Sequence, residues 1–229
     1  DNIYGNTLIS TSTKVPSWNY KILNKYKIKY THNISNDGDL TNINIINNIK
    51  NNIQMCELIT ADGGIDTMGD YNNQEKDSFE LIYAEIYLAL ICLKEGGSFI
   101  LKIFDIFYLN TIQLLYILSL CFEEIIFIKP KTSRPSNSEK YIVCKKYKTN
   151  KDIIDSMLEF WDNRYNLNIK VSNNFIHDLF KYNENFVENQ ISNINYILNY
   201  NKQYNNNYKN KLKCIEWCKH YNMPINIHA

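Results

Sequence analysis

Cys56-Glu57-Leu58-Ile59-Thr60-Ala61-Asp62-Gly63-Gly64 is the stretch that decides the fold. A short apolar run ends abruptly on an acid followed by two glycines. It reads as a buried strand that delivers a carboxylate to its carboxyl end. The glycines then let backbone and ligand approach without side-chain interference. In an open α/β sheet the carboxyl ends of the strands are where ligands sit.

Downstream, residues 65–74 are polar and turn-rich and read as a loop, and a helix is predicted over 74–94. Phe79, Ile82, Tyr83, Ile86, Leu90 and Leu93 form its apolar stripe, and Gly96-Gly97 is expected to stop it. Residues 98–104 read as another buried strand, 110–122 as a helix and 125–128 as a strand. Upstream, residues 1–27 carry weak strand and turn signals: Ile3-Tyr4-Gly5, Thr7-Leu8-Ile9 and Pro16. A short strand is predicted over 27–31. The turn Asn36-Asp37-Gly38-Asp39-Leu40-Thr41-Asn42 then leads into a helix over 41–53, where Ile43, Ile46 and Ile49 recur three apart.

This β-α-β-α-β-α-β order suggests a mostly parallel sheet with helices on its faces. The last step differs. Only the eight residues 131–138 separate Pro130 from Glu139, and Tyr141-Ile142-Val143-Cys144 follows. A parallel crossover needs a dozen residues or more, so the final strand should return antiparallel. Such a strand opens at the edge where its parallel neighbours close. Glu139 is thus expected on the same rim as Asp62 and as Lys102 of Leu101-Lys102-Ile103. The core is placed at residues 1–148. Helices predicted over 150–161, 174–199 and 208–221 make residues 149–229 a helical extension packed on it.

Composition narrows the classes. Hydrophobic residues are 45% and charged residues 21% of 229, as in ordinary globular chains. No apolar run reaches the ~20 residues of a bilayer span. With 25 basic against 24 acidic residues, no global basic field announces nucleic acid, so any RNA site must be local. Of six cysteines, Cys56, Cys92, Cys121 and Cys144 lie in apolar stretches and read as reduced hydrophobes. Cys214 and Cys218 stand one helical turn apart beside Trp217, with His220 near. Core packing accounts for them, and no metal site is expected. Asn-rich runs such as Tyr204-Asn205-Asn206-Asn207-Tyr208 read as solvated linkers.

A lysine in the last positions of an apolar strand is costly unless its ammonium meets partners. Spacing alone leaves two readings for Lys102: a rim ion pair with Asp62 or Asp105, or a base tuned by its neighbours.

Ala61-Asp62-Gly63-Gly64, the strand from Gly97 to Asp105 and Lys129-Pro130-Lys131-Thr132-Ser133-Arg134-Pro135-Ser136-Asn137-Ser138-Glu139-Lys140-Tyr141 closely resemble the FtsJ/RrmJ-type methyltransferases. The nearest branch is the cap-specific messenger-RNA 2′-O-ribose methyltransferases, and the likeness covers residues 5–147. The resemblance implies a Rossmann-like sheet and S-adenosylmethionine as cofactor. It also implies a Lys-Asp-Lys-Glu tetrad in which Asp62, Lys102 and Glu139 are the last three members. Asp39 and Leu40 match the acid-plus-apolar pair that holds the adenine ring, with Asp62 beside them. Asn72, Asn73 and Gln74 fall where relatives contact the capped guanosine. Asn137 falls near the reacting ribose, and Arg134 is a candidate phosphate partner. For Asn72 and Asn73 a plain polar turn, and for Arg134 a structural salt bridge, stay open.

The first tetrad lysine and the glycine-rich cofactor loop have no counterpart here and are expected upstream of Asp1, in a longer protein. The implied reaction is methylation of the 2′-hydroxyl of the first transcribed nucleotide of capped mRNA by a monomeric catalytic unit, with no membrane partner. The alternatives are a ribosomal or transfer-RNA 2′-O-methyltransferase of the same fold, or a catalytically incompetent fragment or non-catalytic RNA-binding module. The compartment implied is the nucleus, or the cytoplasm for a large DNA virus.

Overall fold

The computed structural model describes residues 2–9, 19–31, 37–65, 71–199 and 206–223. Pro16, residues 66–70 of the loop after Asp62, Tyr204-Asn205 of the Asn-rich run and Pro224 lie outside them. Contacts divide the chain into two compact units, residues 1–190 and 191–229.

Among the described residues two sheets are formed. Strands β1 (Tyr4–Gly5) and β2 (Lys29–Tyr30) pair in parallel, with α1 (Tyr20–Tyr26) between them in sequence. The main sheet contains β3 (Cys56–Ala61), β4 (Leu93–Ile103), β5 (Phe122–Ile128) and β6 (Lys140–Tyr147) in the spatial order β3-β4-β6-β5. The strand predicted over 27–31 therefore pairs with β1 and not with the main sheet. Two residues of ladder are all that β1 and β2 share.

β3 and β4 run parallel, whereas β6 is antiparallel to both β4 and β5. The short 131–138 connection forces this reversal, as its length requires. α2 (Ile43–Asn52) buries one apolar face, whereas α3 (Gln74–Cys92) and α4 (Leu109–Cys121) are apolar and buried around most of their surface. Asn42 caps α2 by accepting the Asn44 N–H at 3.0 Å. α4 has no cap of its own. Buried Glu75 of α3 serves instead, accepting the N–H groups of Phe107 and Tyr108 at 2.9–3.0 Å.

β5 starts three residues earlier than expected, at Phe122, and the α3–β4 boundary departs further. α3 ends at Cys92, and Gly96-Gly97 lies inside β4, where pairing jumps from Cys56↔Leu93 to Leu58↔Ser98. The glycines serve this bulge. Gly96 has φ +76°, and a Cβ on Gly97 would meet the carbonyl oxygens of Lys94 and Glu57 at 2.8 and 3.1 Å.

α3 is buried on nearly every side, from Phe79 to Cys92. Its tyrosines tie distant segments together. The Tyr83 hydroxyl donates to Met157 O at 2.7 Å, and that of Tyr147 donates to Leu90 O at 2.5 Å. Trp161 packs edge-on against Tyr83 and Tyr87, bringing α5 (Lys151–Glu159) and the 3₁₀ turn Trp161–Asn166 onto α3. The first turns of α6 (Asn173–Asn199) bury Leu179 and pack Phe175 on Tyr116 and Tyr182 on Phe127. In the second unit, α7 (Asn206–His220) takes up part of the run read as linker. It carries free Cys214 and Cys218, and its Trp217 ring lies 5.0 Å from Tyr221.

Candidate active site

Strand register builds the site. Ala61 pairs with Leu101, Lys102 with Tyr141, and Ile128 with Tyr141 on the other side. The residues closing β3 and β4 thus stand in line with the residue that follows the opening of β6. Side-chain parity selects what faces out. Phe99, Leu101 and Ile103 are fully buried on one face of β4, which leaves Ile100 and Lys102 on the half-exposed face. In β6 the same parity buries Lys140, Ile142 and Cys144 and leaves Tyr141 beside Lys102.

Lys102 Nζ meets Asp62 Oδ1 at 2.8 Å and Asp62 O at 3.4 Å. The lysine side chain is 14% exposed, whereas the aspartate is 65% exposed. The Tyr141 hydroxyl sits between two carboxylates, 3.3 Å from Asp62 Oδ1 and 3.5 Å from Glu139 Oε1. Asp62, Lys102 and Glu139 therefore come together on one rim. Tyr141 joins them, although the sequence reading did not include it. Its signal was present: two residues beyond Glu139 on a strand means the same face. Burial, reinforced by both carboxylates, pushes the Tyr141 phenol up to about 12, so it stays protonated and donates. Of the two ion pairs left open for Lys102, the structure contains the one with Asp62. Asp105 lies instead 3.7 Å from Lys140.

Behind the Asp62 turn stands Glu85, the charge that interrupts the apolar run of α3. Its Oε1 accepts the Gly63 N–H at 3.0 Å. Burial pushes this carboxyl up to about 7; the Gly63 N–H and Lys102 hold it down, and Asp62 adds to the rise. A carboxyl raised from 4.5 to about 7 on folding holds its proton longer in the folded chain than in the unfolded one. Stability is therefore lost as pH rises through that window, by on the order of 3 kcal/mol for this group. Glu85→Gln keeps an acceptor for Gly63 and cannot ionise. We expect urea midpoints of mutant and wild type to agree near pH 4 and the mutant to be the more stable at pH 8. Parallel curves across that range would contradict the assignment.

The remaining predicted residues lie on neighbouring elements. Asp39 Oδ1 accepts both the N–H and the hydroxyl of Thr41, at 2.9 and 2.8 Å, and Leu40 packs partly buried against the core. Asn72 and Asn73 are exposed on the 3₁₀ turn Tyr71–Asn73, and Gln74 opens α3. Arg134 is exposed in the 129–139 loop, where its carbonyl accepts the Asn137 N–H at 3.2 Å. Among the described residues, a Cβ on Gly64 would meet Lys102 Nζ alone within 4 Å, at 3.9 Å. The Asp39 carboxylate and apolar Leu40 fit a nucleoside, and the exposed Asp62 carboxylate fits a positively charged reacting end.

Comparison with known proteins adds three findings. The family model described as FtsJ-like methyltransferase matches residues 14–147. A cap-specific mRNA (nucleoside-2′-O-)-methyltransferase of Autographa californica nuclear polyhedrosis virus is 33% identical over 196 residues, 84% of this chain and 66% of that protein. The cap-specific mRNA (nucleoside-2′-O-)-methyltransferase 1 of Bos taurus is 37% identical over 145 residues, 61% of this chain. This chain thus spans 66% of the viral relative's length and 17% of the bovine one's.

Proposed function

Because this chain belongs to the FtsJ-like methyltransferase family, we propose that it methylates the ribose 2′-hydroxyl of the first transcribed nucleotide of capped mRNA. The observation that carries this reading is the 2.8 Å contact of Lys102 with Asp62 on a rim that Tyr141 shares with Glu139. The relatives named above carry the substrate class.

S-adenosylmethionine, when bound, supplies a methyl group already attached to its leaving group; Asp39, Leu40 and the Asp62 turn would hold it. What the chain must add is alignment and removal of one proton. Lys102 acts from its neutral amine form, which the positive charge of a bound cofactor would favour. It takes that proton from the 2′-hydroxyl as the methyl group passes from its leaving group to the oxygen. Asp62 orients the amine and stabilises the ammonium formed, and Glu139, held through Tyr141, adds a second negative charge. RNA is distinguished from DNA by the hydroxyl itself, and single-stranded ends are held by stacking and local polar contacts. Asn72, Asn73 and Gln74 are assigned to the cap, Asn137 to the reacting nucleotide and Arg134 to a phosphate. Work on capped transcripts implies the nucleus, or the cytoplasm if a virus replicating there encodes the chain. No helix among the described residues is long and apolar enough to cross a membrane.

The test is methyl incorporation into a short m7G-capped RNA and its uncapped twin by the polypeptide that carries this chain. We expect incorporation into the capped RNA alone, at the 2′-position of the first nucleotide. Equal labelling of both RNAs would move the assignment to a ribosomal or transfer-RNA substrate.

A further inference from the structure

Lys129, immediately after β5, reaches across the neck of the 129–139 loop. Its Nζ donates to Asn137 O at 2.8 Å, to Glu139 O at 2.6 Å and to the side-chain oxygen of Asn137. The next buried lysine points the other way: Lys140 Nζ donates to Ser138 O at 3.2 Å and Phe104 O at 3.1 Å. Carbonyls 137 and 139 thus face one ammonium and carbonyl 138 the other, as extended backbone alternates. The neck is held from both sides.

The contact to the Asn137 side chain has a chemical consequence. A carboxamide presents an oxygen acceptor on one side and an NH₂ donor on the other, and shape alone does not say which is which. An ammonium has donors only. The atom facing Lys129 must therefore be Oδ1, and Ser133 Oγ lies 3.4 Å from the same oxygen. Nδ2 is the atom left to turn toward a ligand. The same ammonium seats residue 139, whose carboxylate is held at Oε2 by Ser133 Oγ at 2.5 Å and at Oε1 by Tyr141. Half-burial lowers the proton affinity of Lys129, and the nearby Glu139 opposes that.

We propose that Lys129 is a positioning residue that fixes the polarity of Asn137, so that the loop offers RNA a hydrogen-bond donor there and selects an oxygen acceptor on the nucleotide. The inference rests on the reading of this loop as the RNA-contacting one. It adds a residue outside the expected tetrad and a direction for the recognition bond. Suitable acceptors are ribose, phosphate and base carbonyl oxygens.

Asn137→Asp is the discriminating variant. It keeps the size and an oxygen toward Lys129 and replaces the outward donor with an acceptor. On whichever RNA the wild type methylates, we expect KM for RNA to rise at least about tenfold, as loss of a charge-opposed hydrogen bond does. The thermal midpoint and S-adenosylmethionine affinity should stay at wild-type values. Lys129→Met should raise KM and lower kcat together, because it frees Asn137 and unseats Glu139, and Lys129→Arg should recover most of both. In the Lys129→Met background, Asn137→Asp should cost less than it does alone. Wild-type KM in Asn137→Asp, or strictly additive effects in the double variant, overturns the inference. A wild type that methylates uncapped RNA equally well rejects the cap-specific reading, and the Asn137→Asp comparison on that RNA still decides this one.

Discussion

Lys102→Ala is expected to reduce kcat for methyl transfer by about 10²- to 10⁴-fold, the range a positioned general base contributes. The variant should bind S-adenosylmethionine and RNA nearly as well as the wild type. Of the residues assigned to those ligands, Asp62 touches Lys102 Nζ, and its turn is held independently by Glu85 through the Gly63 N–H at 3.0 Å. Removing the ammonium leaves Asp62, which is 65% exposed, and water can reach the carboxylate that Lys102 had paired. The fold should therefore tolerate the change. Single-turnover rates, with cofactor and RNA affinities measured on the same preparation, separate the outcomes. Turnover within tenfold of wild type would remove Lys102 from the role of base and leave the rim ion pair as its whole purpose. Lys102→Arg should not rescue. Its guanidinium can keep the contact with Asp62 but stays protonated, so it cannot take a proton.

The second large effect is expected far from the reacting atoms, at Gly38. This residue has φ +75°, and a Cβ there would stand 2.0 Å from the carbonyl oxygen of Thr7 and 2.9 Å from its carbon. Both obstacles are backbone. Left-handed geometry costs a non-glycine residue about 1–2 kcal/mol, and the forced separation adds about 1–3 kcal/mol. The damage should be local. The 37–39 turn is fastened to the 6–9 segment by Asn6 Nδ2 donating to Gly38 O at 3.0 Å and Ile9 N–H to Asp37 O at 2.7 Å. Pushing the two apart moves Asp39 and Leu40, the pair assigned to the adenine. We expect Gly38→Ala to weaken S-adenosylmethionine binding by more than tenfold. Amide exchange should quicken in β1 and β2 ahead of the main sheet. Calorimetry and hydrogen exchange read these outcomes separately. Wild-type affinity in a variant whose β1–β2 pair has loosened would show that Asp39 and Leu40 do not hold the cofactor.

Much of this was legible in the chain itself, for reasons that are local. Apolar runs ending on Asp62 and Lys102 announce strands, but the burial expected of both holds for β4 alone, since β3 ends the strand order and leaves Leu58 exposed. Ile43, Ile46 and Ile49 announce a helix by their spacing. The reversal of β6 follows from counting residues, since eight cannot cross over a sheet. From that count came the meeting of Glu139 with Asp62 and Lys102. The resemblance to cap methyltransferases was carried by three short contiguous stretches, 61–64, 97–105 and 129–141, the kind of signal a linear string preserves.

What a string cannot hold is register and depth. Tyr141 enters the site because β6 pairs it with Lys102, and pairing is a property of two strands. Glu85 reads as a blemish in an apolar helix until folding sets it 3.0 Å from the Gly63 N–H. Gly96-Gly97 signals a helix stop in one dimension and turns out to shape a bulge, because the ladder to β3 captures the chain at Leu93. Lys129 and Lys140 are two unremarkable cations in sequence. Their opposite tasks were decided only when two antiparallel strands brought alternating carbonyls between them. Residue type and spacing thus settled which elements form and which charges belong together. Which atom of each group faces which partner was settled by the tertiary structure, since hydrogen-bond direction depends on three-dimensional register that no local pattern encodes.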